Sequence, residues 1–358
     1  MTNHAERLAE GDAAEAGTGD ADSVRDRGKS PVRLLAALVS RMGGVFEGLL
    51  FSSRAPQIPP VFILGPPRSG STLFFQAFCT CFQVAYPNRL GRVLWFAPAF
   101  ALWVTHRFFP AYKSDFKSKY GLSAGGASPF SLTMLNLFLS RDAYVGANDI
   151  APRDARHIAR IFGRMEGIVG GAVVSKNQRY NQWVRFLADL FPDAIFLVMS
   201  RKPVGLSLSL LRARYEVAGS FSSWYLLKPL SYQGEAEAEP EREVAWQLQG
   251  IMEDLRQDMD AIGPERFAVI EYEAFCRAPR AYMGQVADFL NERGVALTWR
   301  EGEHLSSPFE SVSTRTDNLT EAQVLAVESA CREIFPEDKL PTLPCVTIGY
   351  DGTDAPKV

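Results

Sequence analysis

The sequence predicts an α/β protein built on parallel strands, and three stretches carry that prediction. Val61–Leu64, Ala194–Met199 and Phe267–Glu271 are short, nearly continuous apolar runs, the pattern of strands covered on both faces. Each is followed by turn residues and then by apolar residues at helical spacing, the alternation of a parallel sheet with helical crossovers. With 358 residues, 47% of them hydrophobic, the chain can bury one large core, and it shows no internal repeat.

The first unit is 61–75, VFILGPPRSGSTLFF. Gly65 and Gly70 let the backbone turn tightly and approach a ligand closely. Ser71 and Thr72 open a helix whose unpaired N–H groups and positive dipole end face the turn. A phosphate or sulfate suits that position, and an ordinary strand-to-helix turn is the structural alternative. Gly65, Gly70 and Thr72 fall in register with G-x-x-x-x-G-K-[ST], but Ser71 stands where the lysine that reaches the β/γ-phosphates belongs. That argues against an ATPase or GTPase and for a nucleotide with a shorter anionic tail.

The second unit is 172–211. Ala172–Ser175 reads as a short strand, and Gln182–Phe191 as a helix carrying Trp183, Phe186, Leu187 and Leu190 on one side. Pro192-Asp193 break the helix before the Ala194–Met199 strand, and a further helix begins at Val204. Ligands of open α/β sheets bind beyond the carboxyl ends of the strands, which places Arg201 and Ser209 where an anion is held.

PRSGST resembles the 5′-phosphosulfate loop of sulfotransferases that use 3′-phosphoadenosine 5′-phosphosulfate (PAPS). Arg201, with Ser209 eight residues later, resembles their 3′-phosphate motif. FPDAIFLVMSRKP, preceded by the strand-end Lys176, is similar to the bacterial group of this family. A weaker likeness runs through RFAVIEYEAFCRAPRAYMGQVADFLN at 266–291, and together these cover roughly 58–335. The resemblance implies a three-layer, P-loop NTPase-like α/β fold with a mostly parallel sheet of about five strands. Helical insertions at roughly 88–170 and 210–260 would shape an acceptor cleft. It also implies that Pro67, Arg68, Ser69, Gly70, Ser71 and Thr72 hold the 5′-phosphosulfate and that Arg201 and Ser209 hold the 3′-phosphate. Arg68 and Lys176 would be catalytic, stabilising the sulfuryl group in transfer to a hydroxyl or amine. No metal is expected, since cationic side chains meet the developing charge. The acceptor stays open among carbohydrate, lipid, peptide and small natural product. A P-loop kinase and a non-catalytic nucleotide-binding protein of the same ancestry are the competing readings.

The chain departs from the family where a general base is needed. Tyrosylprotein sulfotransferases carry a glutamate downstream of the loop arginine, where this chain has Asn88 and Arg89. Cytosolic sulfotransferases carry a histidine just after the strand-end lysine, where it has Asn177 and Gln178. His106, Asp115 and Asp149 are the remaining candidate bases. Arg212 and Arg214 either touch an anion or are solvated helix positions, and Arg315 falls where the family places a late basic contact to the 3′-phosphate. The stretch from Trp95 to Tyr120, rich in aromatic side chains, is the expected acceptor-facing region.

The remaining segments set the boundaries. Residues 1–30 hold seven acids against four Arg/Lys, the whole formal charge of −3, and read as a disordered acidic tail. The nearly neutral body gives no basic face for nucleic acid. Residues 31–57 form an amphipathic N-terminal helix and linker, 58–345 the sulfotransferase-like domain, and 346–358 a C-terminal tail. Within 31–51, Leu34, Leu35, Leu38, Met42, Val45, Leu49 and Leu50 share one helical face, while Arg33, Arg41 and Glu47 prevent it from spanning a membrane. Packing of that face against the domain is the expectation, and peripheral membrane contact the alternative. Residues 93–104 are too short to span and are broken by Pro98. Thr320 to Gln323 read as a capping box before a helix that ends near Phe335-Pro336. Residues 233–243 look like an exposed acidic connection. Five cysteines with no C-x-x-C pair, and no signal-peptide pattern, point to a cytoplasmic, reducing compartment.

Overall fold

The computed structural model describes residues 42–51, 54–109, 112, 114, 116, 127–131, 135, 139, 144–146, 149–232, 234, 238–301, 305, 308–309 and 316–349. Residues 1–41 and 350–358, Asp115 and Arg315 lie outside the described residues.

Five strands form one all-parallel sheet in the order β2-β1-β3-β4-β5. They are β1 (Val61–Leu64), β2 (Val174–Lys176), β3 (Ile195–Ser200), β4 (Phe267–Glu271) and β5 (Val346–Ile348). The first four stand where the apolar runs predict them, β2 beginning two residues later than expected. Ahead of it, the Val173 carbonyl accepts from Val61 N of β1, and the Ala172 carbonyl accepts from Ala85 N, which extends the β2 edge outward. The fifth strand falls in the stretch assigned to a C-terminal tail. It is only three residues long and two of them are exposed, so it carries no apolar run to find.

The helices are α1 (Ser71–Cys81), α2 (Arg89–Val93), α3 (Pro98–Phe108), α4 (Pro152–Val169), α5 (Tyr180–Leu190), α6 (Pro203–Ala218), α7 (Pro240–Ile262), α8 (Tyr272–Arg277), α9 (Pro279–Asn291) and α10 (Glu321–Ile334). Pro98 separates α2 from α3 by opening the second, a position where its missing N–H costs nothing. The pleat of β1 sorts the layers. Val61 and Ile63 pack with α1, α8 and α9, while Phe62 and Leu64 pack with α4, α5 and α7. Helices therefore cover both faces, which makes the architecture three-layered. A third apolar cluster joins α6, α7 and α10, and α10 starts on the predicted capping box, with both of its bonds present.

Two expectations change. The acidic stretch 233–243 is partly helical, because α7 begins at Pro240 and takes Glu241 and Glu243 into its first turn, where the dipole favours them. The N-terminal helix, over 42–50, does pack on the domain, but by the face opposite to the one expected. Gly43, Gly44 and Glu47 point inward, and Met42, Val45, Leu49 and Leu50 are exposed.

Candidate active site at the carboxyl edge of the sheet

Parallel pairing brings the carboxyl ends of β1 to β4 to one edge. In the order of the sheet this sets Lys176, the Gly65–Gly70 loop, Arg201 and Tyr272 side by side. Neighbouring strands lie about 4.8 Å apart, so Lys176 and Arg201, two strands apart, flank the loop at roughly 10 Å.

The loop is held from below and has room for nothing but glycine at its two ends. Gly65 has φ +122°, and a Cβ there would stand 2.6 Å from the Met199 carbonyl oxygen. Gly70, at φ +86°, caps α1, and a Cβ there would overlap the Tyr272 ring. Asn181, buried in the first turn of α5, pins the loop's start. Its Oδ1 accepts from Gly65 N at 3.0 Å, and its Nδ2 donates to Gly65 O at 3.1 Å. Arg68 itself takes φ +70°, a left-handed conformation that costs a side-chain-bearing residue about 1–2 kcal/mol. The helix that follows has no side-chain cap and no acid in its first turn, so its N-terminal N–H groups and dipole stay directed at the loop.

Around this cradle the side chains are cationic and bonded to one another. Arg68 Nε donates to Ser209 Oγ at 3.0 Å, and Arg201 Nη1 donates to the Arg68 carbonyl at 2.8 Å. The Arg201 guanidinium lies 4.6 Å from the centre of the Tyr272 ring. Lys176 Nζ donates to Thr72 Oγ1 at 3.2 Å, and Gln178 Nε2 donates to Ser71 Oγ at 3.2 Å. Ser69 Oγ and Gln178 Oε1 are buried without a hydrogen-bond partner, two polar atoms that a ligand could satisfy. Burial first, and then the other arginines nearby, lower the Arg68 and Arg201 pKa values, yet a guanidinium stays charged throughout the physiological range. The cluster is thus a largely buried concentration of positive charge beside a helix N-terminus, chemically suited to an anionic ligand.

The structure brings together every predicted loop residue, Lys176, Arg201 and Ser209. It joins the two anion motifs more closely than the sequence suggests, since Arg68 of the first is bonded to Ser209 of the second. It separates the pair Arg212 and Arg214. Arg212 lies close enough to Arg68 to lower its pKa and pairs with Glu216 at 3.3 Å. Arg214 is fully buried, bonded to Glu243 and Gln247 and stacked on Trp224, which makes it a structural residue. Of the candidate bases, Asp149 and His106 are among the described residues, and both are exposed. Asp149 accepts from Gly146 N at 2.8 Å. His106 lines a cleft of about 480 Å³ outside the β2 edge, with Thr105, Phe109 and Tyr112 on the same wall and Trp299 and Arg300 opposite; no described residue of the Gly65–Thr72 loop lines it.

Tyr272 and Asn181, which the sequence reading did not single out, contact the candidate site, and Gln178, read there only as a departure from the family's histidine, bonds to Ser71. Tyr272 had a signal, for it directly follows the β4 strand, at the edge where ligands bind. Asn181 had no signal of its own, since the polar Gln182 and Arg185 stand on the same helix.

A family model described as "Sulfotransferase family" matches residues 59–295, which span the loop, Lys176, Arg201 and Ser209. Among solved structures, sulfotransferase STF1 from Mycobacterium tuberculosis is 17% identical with a TM-score of 0.52, over 93% of this chain and 92% of that one. Sulfotransferase STF9 from Mycobacterium avium is 15% identical with a TM-score of 0.45, over 95% of this chain and 89% of that one. No curated protein matches the chain. At such identities the structural likeness shows the fold alone, and the family match carries the assignment: the chain belongs to the sulfotransferase family.

Proposed function

We propose that the protein transfers a sulfuryl group from PAPS to a hydroxyl or amine of an acceptor. One observation carries the reading. Two separate anion-binding motifs, the Gly65–Thr72 loop and the Arg201/Ser209 pair, converge on one edge of the sheet and are bonded to each other through Arg68. A nucleotide with phosphates at both its 5′ and 3′ positions has charge at both ends of such a site.

The chain's own groups divide the work. The N–H groups at the start of α1, with the Ser71 and Thr72 hydroxyls, hold the 5′ anion, and the orphaned Ser69 hydroxyl lies in the same loop. Arg201 and Ser209 hold the 3′-phosphate. Arg68, bonded to Ser209, and Lys176, bonded to Thr72, would supply positive charge to the 5′ group and to the bridging oxygen of a bound donor. By analogy with phosphoryl transfer, the transition state is loose, so catalysis is mostly positioning and charge stabilisation. PAPS supplies the activated sulfuryl group. Gln178, on Ser71, can orient an acceptor through its unpartnered carbonyl oxygen but cannot take a proton. The general base is therefore another group, such as His106, Asp115 or Asp149, or else the acceptor is nucleophilic as bound.

Thermal unfolding with added nucleotide tests the donor. Adenosine 3′,5′-bisphosphate is expected to raise the midpoint, while ATP with Mg²⁺ is not; stabilisation by ATP alone would point instead to a kinase. Transfer of labelled sulfate from PAPS into fractionated cell extract then separates an enzyme from a binding protein that has lost the reaction.

A further inference from the structure

The helix over 42–50 sits on the domain inside out. Its inward face is made of Gly43, Gly44 and Glu47. A Cβ on Gly43 would lie 3.0 Å from the Ala97 Cβ, and one on Gly44 would lie 2.8 Å from the Phe96 carbonyl oxygen, so the backbones touch. Glu47, only 1% exposed, accepts from the N–H groups of Ala99 and Phe100 at the start of α3 and from Arg164 Nη1 at 3.1 Å. The helix is thereby fixed in orientation by a buried acid that caps one helix and pairs with another. Its outward face is apolar: Met42, Val45, Phe46, Leu49 and Leu50 are all exposed, Leu49 by 77% and Val45 by 66%, and Phe108 at the end of α3 is 65% exposed. Hydrophobic helices ordinarily bury this side, and a contiguous exposed apolar face marks a surface that is covered in use.

Charge says by what. The described segments that build the face, 42–60 and 98–109, contain Arg54, which pairs with Glu166, the exposed Arg107, and a single acid, Glu47, which is buried; in sequence, 31–41 add Arg33 and Arg41 and no acid. The whole chain, by contrast, carries 41 acids and a net charge of −3. Arg107 is exposed and lies over the Phe108 ring at 5.5 Å, so a cation borders the apolar face directly. In sequence the apolar spacing continues through Leu38, Leu35 and Leu34. An apolar face bordered by Arg107, on segments whose single acid is buried, matches the interface of an anionic bilayer, where acyl chains meet headgroup phosphates. No helix among the described residues is long and apolar enough to cross a membrane, so the contact is one of lying on the surface.

We propose that residues 42–50, with the end of α3, dock the protein on an anionic membrane surface. The proposal does not depend on the reaction catalysed, and its test reads binding alone. The full-length chain is sedimented with phosphatidylcholine vesicles and with vesicles that also contain phosphatidylglycerol. It is expected to pellet with the anionic vesicles, less with the neutral ones, and less again at high salt. Val45→Glu/Leu49→Glu, both at exposed positions, should lower the partition coefficient roughly tenfold or more while leaving the thermal midpoint unchanged. Arg107→Glu should weaken binding to anionic vesicles only. A chain that stays in the supernatant with both kinds of vesicle overturns the proposal, as does a double variant that pellets like the parent. Light scattering supplies the third refuting result: a dimer in solution that the double variant makes monomeric would mean that a second copy covers the face.

Discussion

Replacing Arg201 with alanine separates two roles that the structure gives it. Its Nη1 holds the Arg68 carbonyl at 2.8 Å and its guanidinium stacks on Tyr272 at 4.6 Å, so it braces the loop even without ligand. On the proposed function it also grips a 3′-phosphate. A hydrogen bond to a charged group contributes about 1.5–3 kcal/mol, so losing the grip weakens binding of adenosine 3′,5′-bisphosphate roughly ten- to a hundredfold. The bracing role reaches the 5′ group through the loop and acts on every nucleotide alike. Calorimetric titration with the bisphosphate and with adenosine 5′-monophosphate, which lacks the 3′ group, tells the two apart. In the parent the bisphosphate binds more tightly. In Arg201→Ala that preference is expected to collapse, while in Arg201→Lys, which keeps a charge but not the fork, part of it survives. A preference that persists undiminished in Arg201→Ala refutes the placement of the 3′-phosphate, whatever happens to overall affinity.

The other expectations follow from individual contacts. Gly70→Ala puts a side chain at φ +86° against the Tyr272 ring, so it should cost about 1–2 kcal/mol of backbone strain and lower bisphosphate affinity; an unchanged dissociation constant would show that the loop can open there freely. Arg214→Ala leaves Glu243 and Gln247 without their buried partner and should lose about 3–5 kcal/mol in urea unfolding, with nucleotide affinity intact in the folded fraction. Thr320→Ala removes the cap of α10 and should cost about 1 kcal/mol by the same measurement. His157, half-buried on α4, has its pKa lowered from 6.5 by burial first and then by Arg164, with Asp154 opposing. The unfolded chain then binds the proton more readily, so stability is full above pH 6.5 and falls as the pH drops toward the folded value. The thermal midpoint of His157→Asn should decline less over that interval.

The sequence shows most clearly what repeats a physical pattern. Strands β1, β3 and β4 are apolar runs because both their faces are covered, and the capping box of α10 is a local device complete within four residues. Arg201 and Ser209 are legible because strand and helix phase alone set them at the sheet edge. What escapes depends on contacts between distant segments. β5 is held by pairing with β4 and by the Tyr282 hydroxyl on the Ile348 carbonyl, not by its own three residues. Asn181 earns its place through Gly65, 116 positions away. The N-terminal helix has the right periodicity, but its orientation turns on where Glu47 finds a partner, and Arg164 lies 117 residues downstream. Amphipathic spacing names a face without saying whether protein or another phase will cover it.

Tyr272 shows how these distant contacts make one site of two motifs. Its ring fills the space that a side chain at Gly70 would need, and the same ring receives the Arg201 guanidinium. On the proposed function Gly70 belongs to the 5′ loop and Arg201 to the 3′ motif, so one aromatic side chain, the first residue of α8, meets both. Arg201 closes the circuit by holding the Arg68 carbonyl, and Arg68 extends it to Ser209. The contacts run as a ring from Gly70 through Tyr272, Arg201 and Arg68, with no room for a side chain at Gly70. The weakest likeness in the sequence, the β4 unit, therefore reaches the candidate site through the residue that follows the strand. A glycine in the loop, an arginine after β3 and a tyrosine after β4 form one mechanical unit, positioned by the register of three neighbouring parallel strands.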